Sequence, residues 1–185
     1  MKTEYYFAEV LKKMMETTPL DGISVTTLSK KCGVSRKTFY YHYRDVYDLL
    51  TQVFLNEKIT ETPEEIKTTR DLIEVIYRYY SKNSKFIDAT LESAGKDLFK
   101  EFVFNFCYQV MLNNFIAPKP ESKKLTPNEK KDIVRYYSFA YSNAIAYYLS
   151  THKSKSLSGL LDCFFFVNEE IIQSGIMQAK KGSKK

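Results

Sequence analysis

Five cations stand between Ser24 and Arg44 (Lys30, Lys31, Arg36, Lys37 and Arg44), and no aspartate or glutamate interrupts them. Ammonium and guanidinium groups this dense, with the hydroxyls of Thr38, Tyr40 and Tyr41 among them, suit the binding of a polyanion. They can neutralise its phosphates and donate hydrogen bonds to its oxygens and base edges. The chain carries +6 overall, and Lys180, Lys181, Lys184 and Lys185 form a second basic cluster at its end. With both clusters set aside, the remainder is net negative by three. One short segment is therefore basic on a mildly acidic body, and the lysine tail reads as a disordered, solubilising end. The plain alternative for the segment is a solvated charged face.

Covalent and metal chemistry have little support. There is no Gly-x-Gly-x-x-Gly, no phosphate-cradling loop with lysine and no Gly-x-Ser-x-Gly. His42 and His152 are the only imidazoles, and neither has an evident nucleophile nearby in sequence. Cys32, Cys107 and Cys163 are odd in number, far apart and outside any Cys-x-x-Cys, so they read as small core residues rather than a disulfide framework or zinc site. The expectation is a protein without catalytic residues, metal or cofactor.

The elements that must carry the basic segment are helical. Apolar residues make up 44% of the 185 residues, with only 6 glycines and 5 prolines, which disfavours a turn-rich sheet fold. No apolar run approaches the ~18 residues needed to span a bilayer, and the first residues do not open a signal peptide, so a soluble cytoplasmic protein is expected. Tyr6, Val10 and Met14 recur at helical spacing over 5–15. Ser24 can cap a short helix over 25–32, Gly33 stops it, and Ser35 caps another over 36–42. Asp45 caps a fourth, with Leu49, Leu50, Val53 and Phe54 on one face. After a linker over 56–62, further helices are expected at 70–82, 85–92, 98–115, 127–150 and 156–178, with an exposed loop over 117–125. Thr126-Pro127-Asn128-Glu129 is a strong start signal for the eighth. The reading is all-α, about nine helices. A helix-turn-helix three-helix head over 1–48 precedes a helical dimerisation and ligand domain over 49–179, with a disordered basic tail over 180–185.

Two short helices joined by a tight turn, just after a longer helix, suit a helix-turn-helix reader whose second short helix enters the major groove of DNA. With Arg36 at zero on a helical wheel, Phe39 falls at about 300° and Tyr43 at about 340°, side by side and facing a core. Lys37 at about 100° and Tyr41 at about 140° then point outward, with Thr38 and Tyr40 on the flanks.

The run from Ser24 to Tyr43, SVTTLSKKCGVSRKTFYYHY, closely resembles the DNA-binding head of the TetR family of bacterial transcription regulators. Its continuation, YYHYRDVYDLL from Tyr40 to Leu50, looks most like the subgroup of dihydroxyacetone-kinase-operon activators. The resemblance covers about residues 5–55. It implies an all-helical homodimer that binds palindromic double-stranded DNA, more often a repressor than an activator. The last two helices, over about 127–150 and 156–178, would pair the copies, and the body would answer an effector, small molecule or protein. By this resemblance Thr26 and Thr27 lie near the DNA backbone, and Arg36, Lys37, Thr38, Tyr40, Tyr41 and His42 form the recognition surface. The family often has a phosphate-reaching lysine near the start of the fourth helix. Val46 stands there, and Arg44, two residues earlier, is the candidate replacement.

In the body, Ile133, Tyr137, Ala140, Ala144 and Tyr147 form one stripe, and Val134, Tyr141, Ile145 and Tyr148 another. Such two-sided apolarity suits burial against both the same chain and a second copy. Polar groups embedded in apolar helices need partners, which makes Asn105, Tyr108, Gln109, Tyr137, Asn143 and Asn168 the candidate effector pocket. The alternative from another functional class is a helical protein-interaction adaptor whose basic head contacts a partner protein.

Overall fold

The computed structural model describes residues 2–60, 62–164 and 174. Among them are nine α-helices and no strand: α1 Lys2–Met15, α2 Val25–Lys31, α3 Arg36–His42, α4 Val46–Asn56, α5 Thr69–Lys82, α6 Ser84–Leu91, α7 Lys96–Val110, α8 Pro127–Thr151 and α9 Leu157–Asp162. The expected caps are in place. Ser24, Ser35, Asp45 and Thr126 each accept the amide three residues on, satisfying a helix-end donor that would otherwise go unpaired. At α8 the capping box is complete, with Glu129 reaching back to the Thr126 amide at 2.7 Å. No described helix is long and apolar enough to cross a membrane.

The chain divides into two compact units, the first comprising Met1–Lys58 and Tyr80–Phe102. In it, α1 packs on α2, α4 and α6, and α2 packs on α3. Its centre is aromatic. Phe7 meets the rings of Phe39 at 5.4 Å and Tyr43 at 5.9 Å edge to face, an arrangement their quadrupoles favour. Further along, Phe54 of α4 lies against Phe86 (5.7 Å), Phe99 (6.2 Å) and Phe102 (5.2 Å). Lys12 bridges these layers, paired with Glu57 and over the Phe86 ring at 5.3 Å.

The second unit comprises Ile59–Tyr79 and Val103–Lys185. Asp71 opens α5 by accepting the amides of Lys67 (3.0 Å) and Thr68 (2.9 Å). A helix expected to run unbroken to Phe115 instead changes period after Val110. Met111–Ile116 is π-helical, and the following Ala117 amide bonds five residues back to Leu112. In an α-helix Ile116 would lie about 140° from Met111. The wider turn brings both onto the buried side with Phe115. Asn114 is then free to donate to the carbonyls of Pro63 and Ile66.

The 117–125 segment is not wholly an exposed loop. Pro120–Lys124 forms a 3₁₀ turn that buries Ser122, whose amide bonds Lys119, and is followed by buried Leu125. α8 buries Val134, Tyr137, Tyr141, Ile145 and Tyr148, while Ala140 and Tyr147 are exposed. The two expected stripes thus divide, one inward and one partly to solvent. The Tyr148 hydroxyl accepts the Ser156 amide (3.2 Å) and bonds the carbonyls of Ser154 and Ser156, fixing the turn into α9. A Cβ at Gly159 would press on that hydrogen-bonded hydroxyl, so the elbow favours glycine. Cys32 and Cys107 are buried as expected, but Cys163 is exposed. It follows α9, where neighbouring Phe164 takes the inward position and stacks on Tyr141 at 4.6 Å. The helix expected over 156–178 is described only to Asp162. Cys163 and Phe164 follow it in a turn and Ser174 is described, while Phe165, Asn168, Ile171, Ile172 and the basic tail lie outside the described residues.

Candidate nucleic-acid interface

Gly33 carries the turn between α2 and α3 at φ +68°, a left-handed conformation costly for any residue with a Cβ. Its amide bonds Lys30 and that of Val34 bonds Ser29, closing α2 before Ser35 starts α3. The inward residues are Phe39 of α3, with no exposed surface, and Tyr43 just after the helix, at 6%. Arg36, Lys37, Tyr40 and Tyr41 face solvent, Tyr41 at 85% exposure, and Thr38 and His42 are half-buried. Neither Arg36 nor Lys37 is paired with a carboxylate among the described residues. Tyr40 leans its ring edge on Phe39 at 5.7 Å, so the base of the side chain is supported while the ring remains open to solvent.

The structure therefore brings Arg36, Lys37, Tyr40 and Tyr41 onto one exposed helix surface. Thr26 and Thr27 are exposed at the start of α2, and Thr27 is already engaged. Its hydroxyl accepts the Ser24 amide at 3.1 Å and donates to the Ser24 carbonyl at 2.8 Å. Thr38 likewise shares a hydrogen bond with the Ser35 hydroxyl. Val46 is buried at 6% exposure, so the start of α4 offers no cation. Arg44 projects from the α3–α4 connection with its side chain 87% exposed, its guanidinium 3.6 Å from Asp48. Sequence reasoning passed over Asp48, though its i,i+4 spacing from Arg44 is a readable signal. It also passed over Tyr47, whose hydroxyl donates to Asp21 and ties the approach to α2 onto α4. That bond, then partial burial and the carboxylates of Asp21 and Asp45, hold the Tyr47 phenol above its ordinary pKa.

A family model described as "Transcriptional regulator C-terminal region" (TetR_C_8) matches residues 67–165, more than half of the chain. The chain belongs to the TetR family of transcriptional regulators. The match falls on the body, while the motif resemblance falls on the head. Among solved structures, the chain is similar to "Dihydroxyacetone kinase operon activator DhaS" at 20% identity. The likeness covers 97% of this chain and 96% of that one, with a TM-score of 0.58, and shows a shared fold. No curated protein matches the sequence.

In this TetR-family body the candidate pocket residues are not gathered in one interior. Asn105, Gln109 and Asn143 are exposed, Tyr108 is half-buried, and Asn168 lies outside the described residues. Of the candidates that are described, Tyr137 alone is buried, which pushes its phenol up. The buried stripe of α7 is Phe99, Val103, Cys107 and Val110, which leaves Asn105 and Gln109 on other faces. Asn143 spends its amide on the Phe139 carbonyl at 2.9 Å.

Proposed function

We propose that this regulator binds a palindromic DNA operator as a homodimer, each copy inserting α3 into the major groove. The carrying observation is the outward surface of Arg36, Lys37, Tyr40 and Tyr41 on a helix anchored by Phe39 and Tyr43. Lys37 and Tyr41 are assigned to base edges, and Arg36, Thr26, Thr27, Thr38, Tyr40, His42 and Arg44 to the recognition-helix flanks and phosphates. Homodimerisation is supported by α8, where Tyr136, Ala140, Asn143 and Tyr147 recur at i, i+4, i+7 and i+11 on its exposed side. Three of the four are apolar or aromatic, and the tyrosines stand 71% and 65% exposed. Repression by occupying a promoter is the direction assigned. The solved structure named as an operon activator supports the opposite direction as a second reading, and a reporter driven by the selected operator separates the two. An effector, small molecule or protein, would set DNA affinity. A small-molecule effector should raise the melting temperature in proportion to the logarithm of its concentration once past its Kd.

Selection from random duplexes tests the core of this reading. It should enrich a palindrome with half-sites about 10–10.5 bp apart or a multiple of that. Enrichment of no duplex overturns the reading in favour of an adaptor.

A further inference from the structure

Only Tyr43, Arg44 and Asp45 separate α3 from α4. The Tyr43 amide makes the last helical bond of α3, to Phe39, which leaves the Arg44 amide beyond the helix. Two carboxylates at the start of α4 divide the work of ordering this connection. Asp45 accepts the Asp48 amide at 2.8 Å, the ordinary task of an N-cap. Asp48 reaches in the opposite direction. Its Oδ2 accepts the Arg44 amide at 2.9 Å, and its Oδ1 lies 3.6 Å from the Arg44 guanidinium. One carboxylate thus holds both the backbone and the side chain of a single arginine. Asp48 is 19% exposed and Arg44 87%, so the holder is sheltered and the held group is presented to solvent.

We propose that Asp48 is a positioning residue for DNA binding: it fixes Arg44 so that the free edge of the guanidinium meets a backbone phosphate. This rests on the reading that the head binds duplex DNA. A guanidinium carries five donors in a planar fork, and an ion pair at 3.6 Å occupies one edge at most, leaving donors for phosphate. An arginine on an exposed connection would otherwise lose backbone and rotamer freedom on binding. Asp48 removes part of that cost beforehand. The proposal opposes simple electrostatics. Deleting a negative charge beside a bound phosphate should tighten binding by Coulomb attraction alone, whereas loss of positioning weakens it.

The test measures affinity for the selected operator over a salt series, with melting temperature as a check on folding. Arg44→Ala should weaken binding and flatten the slope of log affinity against log salt by about 0.9 for each phosphate that is no longer neutralised. Asp48→Ala should weaken binding about three- to tenfold with the same flattening, and add nothing further in the Arg44→Ala background. Asp48→Asn keeps an acceptor for the Arg44 amide and should fall between parent and Asp48→Ala. A merely structural role for Asp48 would lower stability without changing the salt slope. Binding by Asp48→Ala as tight as the parent, an unaltered slope in Arg44→Ala, or additive losses in the double variant would each overturn the proposal. In all three cases specific binding by the parent, weakened by Lys37→Ala, leaves the reading of the head standing. A parent that selects no duplex overturns both, and is recognised by that result alone.

Discussion

Lys37 and Tyr41 point away from the same helix that Phe39 and Tyr43 anchor, so their truncation should change recognition and leave folding alone. Lys37→Ala or Tyr41→Ala is expected to relax preference at one position per half-site by about 1–3 kcal/mol, read from competition among single-base operator variants. Tyr40→Ala should instead weaken all sequences alike. The cysteines offer a check on burial. Desolvation pushes the thiols of Cys107 and Cys32 up, Cys107 to well beyond its ordinary range, which leaves little thiolate to react. Cys163 is exposed. Mass spectrometry after brief alkylation of native protein should find Cys163 modified first, with Cys107 reacting only on unfolding. Labelling of Cys107 in the native state would contradict its place in the core.

At the scale of elements, the local signals that could be read in one dimension were the ones the structure follows. Ser24, Ser35, Asp45 and Thr126 cap where side-chain chemistry predicts, because a cap depends on neighbours within three residues. Gly33→Ala therefore has a definite expected cost. Nothing lies within 4 Å of the added methyl, so the loss, about 1–2 kcal/mol in denaturant unfolding, is that of a left-handed backbone alone. The start of α5 adds a pH signature. Burial raises the Asp71 carboxyl, but the amides of Lys67 and Thr68 and the Thr68 hydroxyl outweigh it, and the net pKa is lowered. A carboxylate with a folded value below its unfolded value near 3.9 stabilises above about pH 4, and that contribution is lost as pH falls through the lowered value. The melting-temperature gap between parent and Asp71→Ala should accordingly be widest near neutrality and narrow below about pH 4. The π turn at Met111–Ile116, by contrast, was not legible. Which way a helix packs decides whether Ile116 must share a face with Met111, and that depends on residues far away in sequence. That Asn105, Gln109 and Asn143 face outward depends on distant packing in the same way. Aromatic content tells how much surface a helix can bury, not which faces find neighbours.

For the whole molecule, the family was readable from the head motif and the all-helical plan from composition and helical spacing. The head shares its unit with residues 80–102, which supply Phe86, Phe99 and Phe102 to cover Phe54. A fragment of residues 1–58 leaves that ring uncovered, and burying a side chain of this size is worth about 1.5–3 kcal/mol. The fragment should melt earlier and less cooperatively by circular dichroism than a chain that retains 80–102. Pairing of copies is tested separately. Ala140→Glu or Tyr147→Glu, on the exposed side of α8, should yield monomers in sedimentation and lose palindrome binding while retaining helicity. The chain's return to its first unit has a bearing on biosynthesis. At about 5–20 residues per second, residue 102 leaves the peptidyl-transferase centre about 2–9 seconds after residue 58. The α3 helix is thus translated well before the aromatic lining that completes its unit, and nascent chains stalled between those points should be sensitive to protease until the second instalment emerges.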